Sequence, residues 1–395
     1  MRTVITTFGS TGDVQPLIGL AEELRQHGHD LILALSPNYE KRIRQLGFAF
    51  IPIGTDVEPN LWTRIGAAQM EQTDPTEQTR QFLEAILPAM PQMFRQLREA
   101  CRGADALISP PFQLAARMVQ EVDRLPFISV HFSPFGAKSN KASREVSAPL
   151  VNAYRRQEGL PPLEDPLGAD GASPQLALYP VSQHVFRAPA QWPAHHRITG
   201  YFYFDEETWQ PDPQLVRFVE AGPPPVVVSF GSMPNQNPEA LTDLVLEAIS
   251  RVECRAVLQH GEAGLGRGRT LPENVYAAGF LPHRWLFPRA ACVVHHGGAG
   301  TTAAAFRAGI PAVIVPHFLD QPIWGEYARA LGCASAVIQH KQLTAERLGI
   351  ALTRALSEER YRRAAARLGE KIRAENGVET ARRLIEKELE IRKSA

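Results

Sequence analysis

The chain lacks most of the features that would assign a protein to a special class. It has no net charge, because lysine plus arginine and aspartate plus glutamate each total 42 among its 395 residues. That balance leaves no electrostatic case for nucleic-acid binding. The four cysteines, Cys101, Cys254, Cys292 and Cys333, lie far apart and form no CxxC pair. They read as reduced, buried thiols and not as a disulfide framework, and the expected location is cytoplasmic. No Cys/His cluster has the spacing of a metal site. No apolar run approaches the ~20 residues of a membrane-spanning helix, so the expected membrane contact is transient and at the surface. The first strand runs into a glycine turn by residue 9, too soon for a secretory signal. What is present is the ordinary balance of a soluble globular protein, 44% hydrophobic and 21% charged. This length suits two domains of roughly 200 residues better than one core.

Two α/β series can be read along the chain. Residues 4–8 form an apolar strand and 9–12 a glycine turn; Leu17, Ile18, Leu20, Ala21 and Leu24 then recur at helical spacing. Strands at 31–35 and 48–53 flank a helix at 38–46. That alternation implies a parallel sheet with right-handed crossovers. Residues 56–100 break the rhythm, carrying Trp62, Met70, Phe82, Met90, Met93 and Phe94 on what read as irregular helices. Such a stripe is either core or a deformable apolar pocket suited to flexible thioethers. Strands follow at 106–109 and 127–131, and the Pro-, Gly-, Ser- and Ala-rich stretch 134–175 predicts long loops and short helices. The acidic, proline-containing stretch from 205 opens the expected linker, 206–222. A second series begins with Val226-Val-Val-Ser-Phe-Gly-Ser. A helix at 239–251 and strands near 255–259, 275–280, 291–295, 311–316 and 335–338 continue it. The tail from 358 is helical and ends with Ala381, Leu384, Ile385 and Leu389 close to one face. The predicted division is 1–205, linker 206–222, 223–375, and a helix over 376–395 packing back on the first domain.

Ligands of open parallel sheets bind outside the carboxyl ends of the strands, where four motifs fall. The most informative is Cys292-Val-Val-His-His-Gly-Gly-Ala-Gly-Thr-Thr302. A strand end, a turn of Gly297, Gly298 and Gly300, and a helix opening at Thr301 together make an anion site, with free amides and the positive helix end at one spot. His296 adds a side-chain donor, which suits a diphosphate. Glycine turns that hold no phosphate have the same pattern, so the motif alone leaves both readings open. Adjacent histidines on a strand point to opposite faces and cannot easily share a metal ion. Asp13 follows the first turn, either as the N-cap of the first helix or as a general base at the sheet mouth. The turn lacks GxGxxG spacing, which disfavours a dinucleotide fold. Ser229-Phe-Gly-Ser232 offers a hydroxyl and turn amides, and the adjacent Asp320 and Gln321 suit vicinal sugar hydroxyls.

In order, these segments resemble the family-1 glycosyltransferases of the two-domain GT-B type. The resemblance is nearest to sterol glucosyltransferases and bacterial antibiotic (vancomycin-type) glycosyltransferases. It rests on Gly-Ser-Thr-Gly-Asp-Val-Gln-Pro at 9–16, Ser-Phe-Gly-Ser at 229–232, Pro-His-Arg-Trp-Leu-Phe at 282–287, Val-Val-His-His-Gly-Gly-Ala-Gly-Thr-Thr at 293–302 and Pro-His-Phe-Leu-Asp-Gln-Pro-Ile-Trp-Gly at 316–325. The fold it implies is two facing Rossmann-like domains with an interdomain cleft and a helical tail. It implies Asp13 as catalytic base, and His296, Gly298, Gly300 and Thr301, with Ser232, around the donor diphosphate. Asp320 and Gln321 would hold the sugar, and Phe280 or Trp285 would stack on the base. The plant relatives' partner aspartate has no counterpart in Leu107-Ile-Ser-Pro-Pro111. The activity implied is an inverting, metal-independent transfer with no permanent cofactor. A nucleotide sugar, UDP-glucose first and a dTDP-sugar second, gives its hexose to a lipophilic acceptor such as a sterol, triterpenoid, polyketide or lipid. Trp62, Met90, Phe94, His131 and Phe135 are the candidate acceptor pocket. Two other readings stand beside it: a UDP-N-acetylglucosamine-using transferase or epimerase of cell-wall metabolism, and a catalytically silent binding protein.

Overall fold

The computed structural model describes residues 1–54, 74–134, 141–205, 209–233 and 235–393. The chain divides into two compact units, Met1–Phe204 with Asn376–Ala395, and Asp205–Glu375.

The first unit is built on seven parallel strands: β1 (Arg2–Thr6), β2 (Asp30–Leu35), β3 (Ala49–Pro52), β4 (Ala106–Ser109), β5 (Phe127–Val130), β6 (Leu176–Tyr179) and β7 (His196–Ile198). They are ordered β3-β2-β1-β4-β5-β6-β7, so the order reverses beside β1. A ligand edge forms at such a reversal, and the turn leaving β1 lies on it. Helices connect the strands: α1 (Thr11–Gln26), α2 (Glu40–Gln45), α3 (Pro75–Ile86), α4 (Met90–Ala100), α5 (Leu114–Asp123) and α6 (Lys141–Gln157). Both faces of the sheet are therefore covered, and β1, β4, β5 and β6 read as nearly continuous buried runs.

Helix α6 corrects the expectation of loops and short helices across 134–175. It runs for 17 residues through Pro149, although its composition is poor for a helix. Tertiary burial decides: Val146, Val151, Asn152 and Arg155 face inward. Arg155 pairs with Glu121 at 2.6 Å and donates to the Pro161 carbonyl. Packing of one face supplies most helix stability in proteins and overrides intrinsic propensity.

The second unit repeats the architecture with β8 (Val226–Ser229), β9 (Ala256–Gln259), β10 (Val275–Ala278), β11 (Cys292–His295), β12 (Ala312–Ile314) and β13 (Ala334–Val337). Their order is β10-β9-β8-β11-β12-β13, again parallel. The helices are α7 (Pro213–Glu220), α8 (Pro238–Val252), α9 (His283–Leu286), α10 (Ala299–Ala308), α11 (Gln321–Ala330), α12 (Ala345–Ser357) and α13 (Glu359–Arg373). Helix α7 falls inside the expected linker 206–222 and belongs to the second unit. The Asp212 side chain caps it, accepting from the Gln214 amide at 2.8 Å, and Leu215 and Val219 are buried.

The last helix, α14 (Gly377–Lys393), lies against α1 in the first unit, where Ala381, Ile385 and Leu389 join the core around Leu17, Leu20 and Leu24. Burying each of the two larger side chains contributes about 1.5–3 kcal/mol. Arg382 ties the contact by bridging Glu23 at 3.0 Å and Glu386 at 2.6 Å. No described helix is long and apolar enough to cross a membrane.

Candidate active site

The strand β11 ends at His295, and the chain turns at Gly297 with φ +87° before Gly298 caps α10. That φ favours glycine, and a Cβ at 297 would also press on the Gln321 carbonyl at 2.9 Å. The Gly298 side of the cap carries no side-chain hydrogen bond. Thr302 is the first residue of the helix whose amide finds a carbonyl, Gly298 O at 2.9 Å. The amides of Ala299, Gly300 and Thr301 thus belong to the unsatisfied first turn, and a Cβ at Gly300 would meet nothing within 4 Å. Open amides and a positive helix end offer an anion site on this edge of the sheet.

His296 completes that corner. It is only 7% exposed, and its ring stands in a slot between two glycines. A Cβ at Gly231 would lie 3.1 Å from its Cε1, and one at Gly298 would fall inside 3.0 Å of its Nε2. The Nδ1 atom is buried without a hydrogen-bond partner. Burial, followed by the neighbouring His295, His317 and His283, holds its pKa well below the ordinary histidine value. His283 and His317 are likewise lowered to about 4 by burial. The corner is therefore lined by neutral imidazoles at physiological pH, and attraction for an anion comes from the helix end. Among the described residues, no group of three His, Cys, Asp or Glu side chains stands together as a metal cage.

The other segments arrive at the same sheet edge. Gly231, with φ +59°, carries the 229–232 turn to His296, and Ser232 at that turn is exposed. Asp320 sits at the start of α11, half-buried, and accepts from the Trp324 indole at 2.8 Å. Loss of water raises its pKa, and the Trp324 bond opposes that rise. Gln321, the second residue of the sugar-holding expectation, has its own protein partners. It is 4% exposed; its Oε1 accepts from the His317 and Phe318 amides at 2.8 and 3.3 Å, and its Nε2 reaches Met233 Sδ at 3.2 Å. Both ends of the carboxamide are thus turned inward, where they hold the 316–318 loop. Of the two aromatics, Phe280 is 61% exposed, whereas Trp285 packs on Trp209 at 5.5 Å with Arg289 over its ring at 4.7 Å.

In the first unit, Asp13 is not the N-cap of α1. Ser10 holds that position, and Asp13 is the third residue of the helix in a capping box. Its Oδ2 accepts from the Ser10 amide at 2.8 Å and the Ser10 hydroxyl at 3.1 Å. A side chain at Gly9 would overlap the carboxylate. Asp13 is half-buried at the ligand edge of the sheet, and Tyr39 stands near it, its pKa raised by burial and by the Asp13 charge.

The acceptor candidates are placed differently from one another. Met90 and Phe94 are closed into the core with Leu87, Met93 and Leu97, so of the two readings of that stripe they display packing. His131 directly follows β5, shares a hydrogen bond with Ser129 Oγ at 2.9 Å and stacks on Tyr179 at 4.6 Å. Burial and the nearby His196 lower its pKa to about 3, so it is a neutral, packed ring. Trp62 and Phe135 lie outside the described residues. Reasoning from the sequence passed over the His131–Tyr179–His196 stack, because stacking partners from three separate segments of the chain leave no local signal.

Comparison with known proteins matches both halves of the chain. Residues 3–140 match the glycosyltransferase family 28 N-terminal domain, and 243–387 the C-terminal domain of erythromycin biosynthesis protein CIII-like proteins. The chain is 31% identical over 430 residues to O-mycaminosyltylonolide 6-deoxyallosyltransferase of Streptomyces fradiae, covering 100% of this chain and 99% of that protein. It is 30% identical over 410 residues to a sterol 3-beta-glucosyltransferase of Arabidopsis thaliana, covering 96% of this chain but 64% of the plant protein. Among solved structures, the glycotransferase of kitacinnamycin superposes with TM-score 0.77 at 22% identity, covering 98% of this chain and 99% of that one. The glycosyltransferase VinC in complex with DTDP gives 0.75 at 22% identity, covering 99% and 100%.

Proposed function

The chain belongs to the family-1 type glycosyltransferases and has the GT-B fold, and from that premise we propose that it transfers a hexose from a nucleotide sugar to a hydroxyl of a lipophilic small molecule. UDP-glucose is the first donor to test. A dTDP-sugar is the second, because several structural neighbours were crystallised with thymidine diphosphate. The acceptor class follows from relatives whose names specify sterols and O-mycaminosyltylonolide, and extends to triterpenoids, polyketides and lipids. Neither the cell-wall epimerase reading nor the silent-binder reading is favoured by these relatives.

One observation carries the proposal: the slot that holds His296 against Gly298, beside the open first-turn amides of α10. A diphosphate there takes hydrogen bonds from Gly300 and Thr301 and from the His296 ring, with the Ser232 turn alongside. These groups take up the charge that develops as the diphosphate leaves, and each such donor is worth about 10²–10³ in rate. Phe280, with its ring exposed, is the stacking partner for the nucleobase, and Asp320 the sugar-hydroxyl acceptor. Asp13 takes the proton of the acceptor hydroxyl. The oxygen then bonds to the anomeric carbon, the bond from that carbon to the β-phosphate oxygen breaks, and configuration inverts.

The test is mass spectrometry of products from UDP-glucose and dTDP-glucose with a pooled panel of sterols, macrolides, flavonoids and hydroxy-fatty acids. A glycosylated product with stoichiometric nucleoside diphosphate is expected. No product from any pair, together with no nucleoside diphosphate binding, would reject the proposal.

A further inference from the structure

We propose that His295, which ends β11, is a positioning residue for the donor site, setting the turn that aims the α10 amides at the diphosphate. The inference rests on the donor reading above and goes beyond it, since His295 faces away from His296. The two rings are 6.4 Å apart and nearly perpendicular, at 89°.

Three observations carry it. First, His295 is wholly buried and its backbone is locked in the sheet, in register with Ser229 on β8 and Ile314 on β12. Its carbonyl accepts from the Val315 amide at 2.8 Å, so its position is set by strands on both sides. Second, its Nδ1 accepts from the Gly297 amide at 3.0 Å. This side-chain bond to the amide two residues on closes the chain reversal, as Asn and Asp do in Asx-turns. Third, Gly297 is the pivot of the turn, with φ +87°, and Gly298 immediately after it caps α10. Between the rigid strand and the helix amides there are thus only three residues, and the first bond in that path is the one to His295.

The ring must be neutral and protonated on Nε2 for Nδ1 to accept. Its Nε2 is buried without a partner, and burial together with nearby His283 lowers its pKa to about 3. The acceptor therefore persists through the physiological range.

The test compares His295→Leu, which removes the acceptor, with His295→Asn, whose Oδ1 can still reach the Gly297 amide. Calorimetry measures binding of UDP and of uridine (dTDP and thymidine in parallel) to each variant and to the unaltered protein. In the Leu variant the diphosphate affinity should fall by about tenfold, the scale of an unsatisfied amide, with nucleoside affinity unchanged. The Asn variant should recover most of that loss. A merely structural role would lower the melting temperature but leave the ratio of diphosphate to nucleoside affinity where it was, and that result would overturn the inference. So would an Asn variant no better than Leu. If the unaltered protein binds diphosphate no more tightly than nucleoside, the donor reading falls and this inference with it. Should the Leu variant fail to fold, nitrogen-15 NMR of histidine in the unaltered protein decides: a protonated Nδ1 on His295 excludes the bond.

Discussion

Replacing Gly298 by alanine is the sharpest probe of the donor corner, because the backbone there has no objection to a side chain. Gly298 has φ −59° and ψ 146°, which any residue adopts, so the cost of alanine is confined to its Cβ. That Cβ would stand inside 3.0 Å of His296 Nε2 and 3.1 Å from its Cδ2. To regain an ordinary separation of about 3.5 Å the ring edge must retreat by roughly 1 Å. The ring edge is driven toward Gly231, the glycine on the other side of the slot. Overpacking of this kind costs about 1–3 kcal/mol, a melting shift of about 2–12 °C for a unit of this size. A displacement of about 1 Å at a catalytic group costs about 10²-fold in turnover. Diphosphate release from the donor should therefore slow by about two orders of magnitude, and calorimetry should show weakened nucleoside diphosphate binding. Gly300→Ala is the companion, because its Cβ meets nothing within 4 Å. Exchanging glycine for alanine inside a helix stabilises by about 0.5–1 kcal/mol, so this variant should melt higher while binding diphosphate less well. If Gly298→Ala binds and turns over like the unaltered protein, the His296 slot is not the donor corner.

Three further outcomes are expected. Asp13→Asn keeps an oxygen for the Ser10 amide, so melting should change by no more than about 1 kcal/mol equivalent. Transfer should be abolished with nucleoside diphosphate affinity kept, and near-normal turnover would remove Asp13 as base. Gln321→Leu strips the His317 and Phe318 amides of their acceptor and should destabilise by about 1–3 kcal/mol; unaltered chemical denaturation would show that the loop does not depend on it. The pKa of buried His131, about 3, lies below its unfolded value of about 6.5. The unfolded chain then binds the extra proton first, so stability is complete above about pH 6.5 and declines as pH falls toward 3, by about 1.4 kcal/mol per pH unit. Urea unfolding of His131→Phe should show a shallower decline between about pH 6.5 and pH 5 than the unaltered protein, and identical slopes would count against the buried neutral ring.

Much of the fold was legible because parallel strands announce themselves. Ala106–Ser109 is a short aliphatic run ending at a proline and is a strand with the predicted bounds, and the β-branched run Val226–Ser229 is the strand expected to open the second series. The elements that escaped are those whose stability comes from distant partners. Helix α6 reads as loop by composition and is held by Glu121 and its buried face. Helix α7 hides in a linker-like stretch rich in proline, yet its Asp-Pro start is a good helix opening. The short strands β6 and β7 extend the sheet beyond what alternation predicts.

The candidate site divides along the same line. Local chemistry determined where the glycines, the histidine pair, Asp13 and Asp320 stand, because turns, helix starts and strand ends are built from neighbours in sequence. Only the tertiary structure decided which way the side chains face. Gln321 turns inward because Met233, 88 positions away in the chain, meets its amide. His295 comes to serve the turn because strands from 226 and 312 clamp it from either side. Short-range patterns can record which residue types a strand end or helix start requires. The direction of a buried polar group depends on where its partner is found, and that partner is brought close only when the sheet assembles.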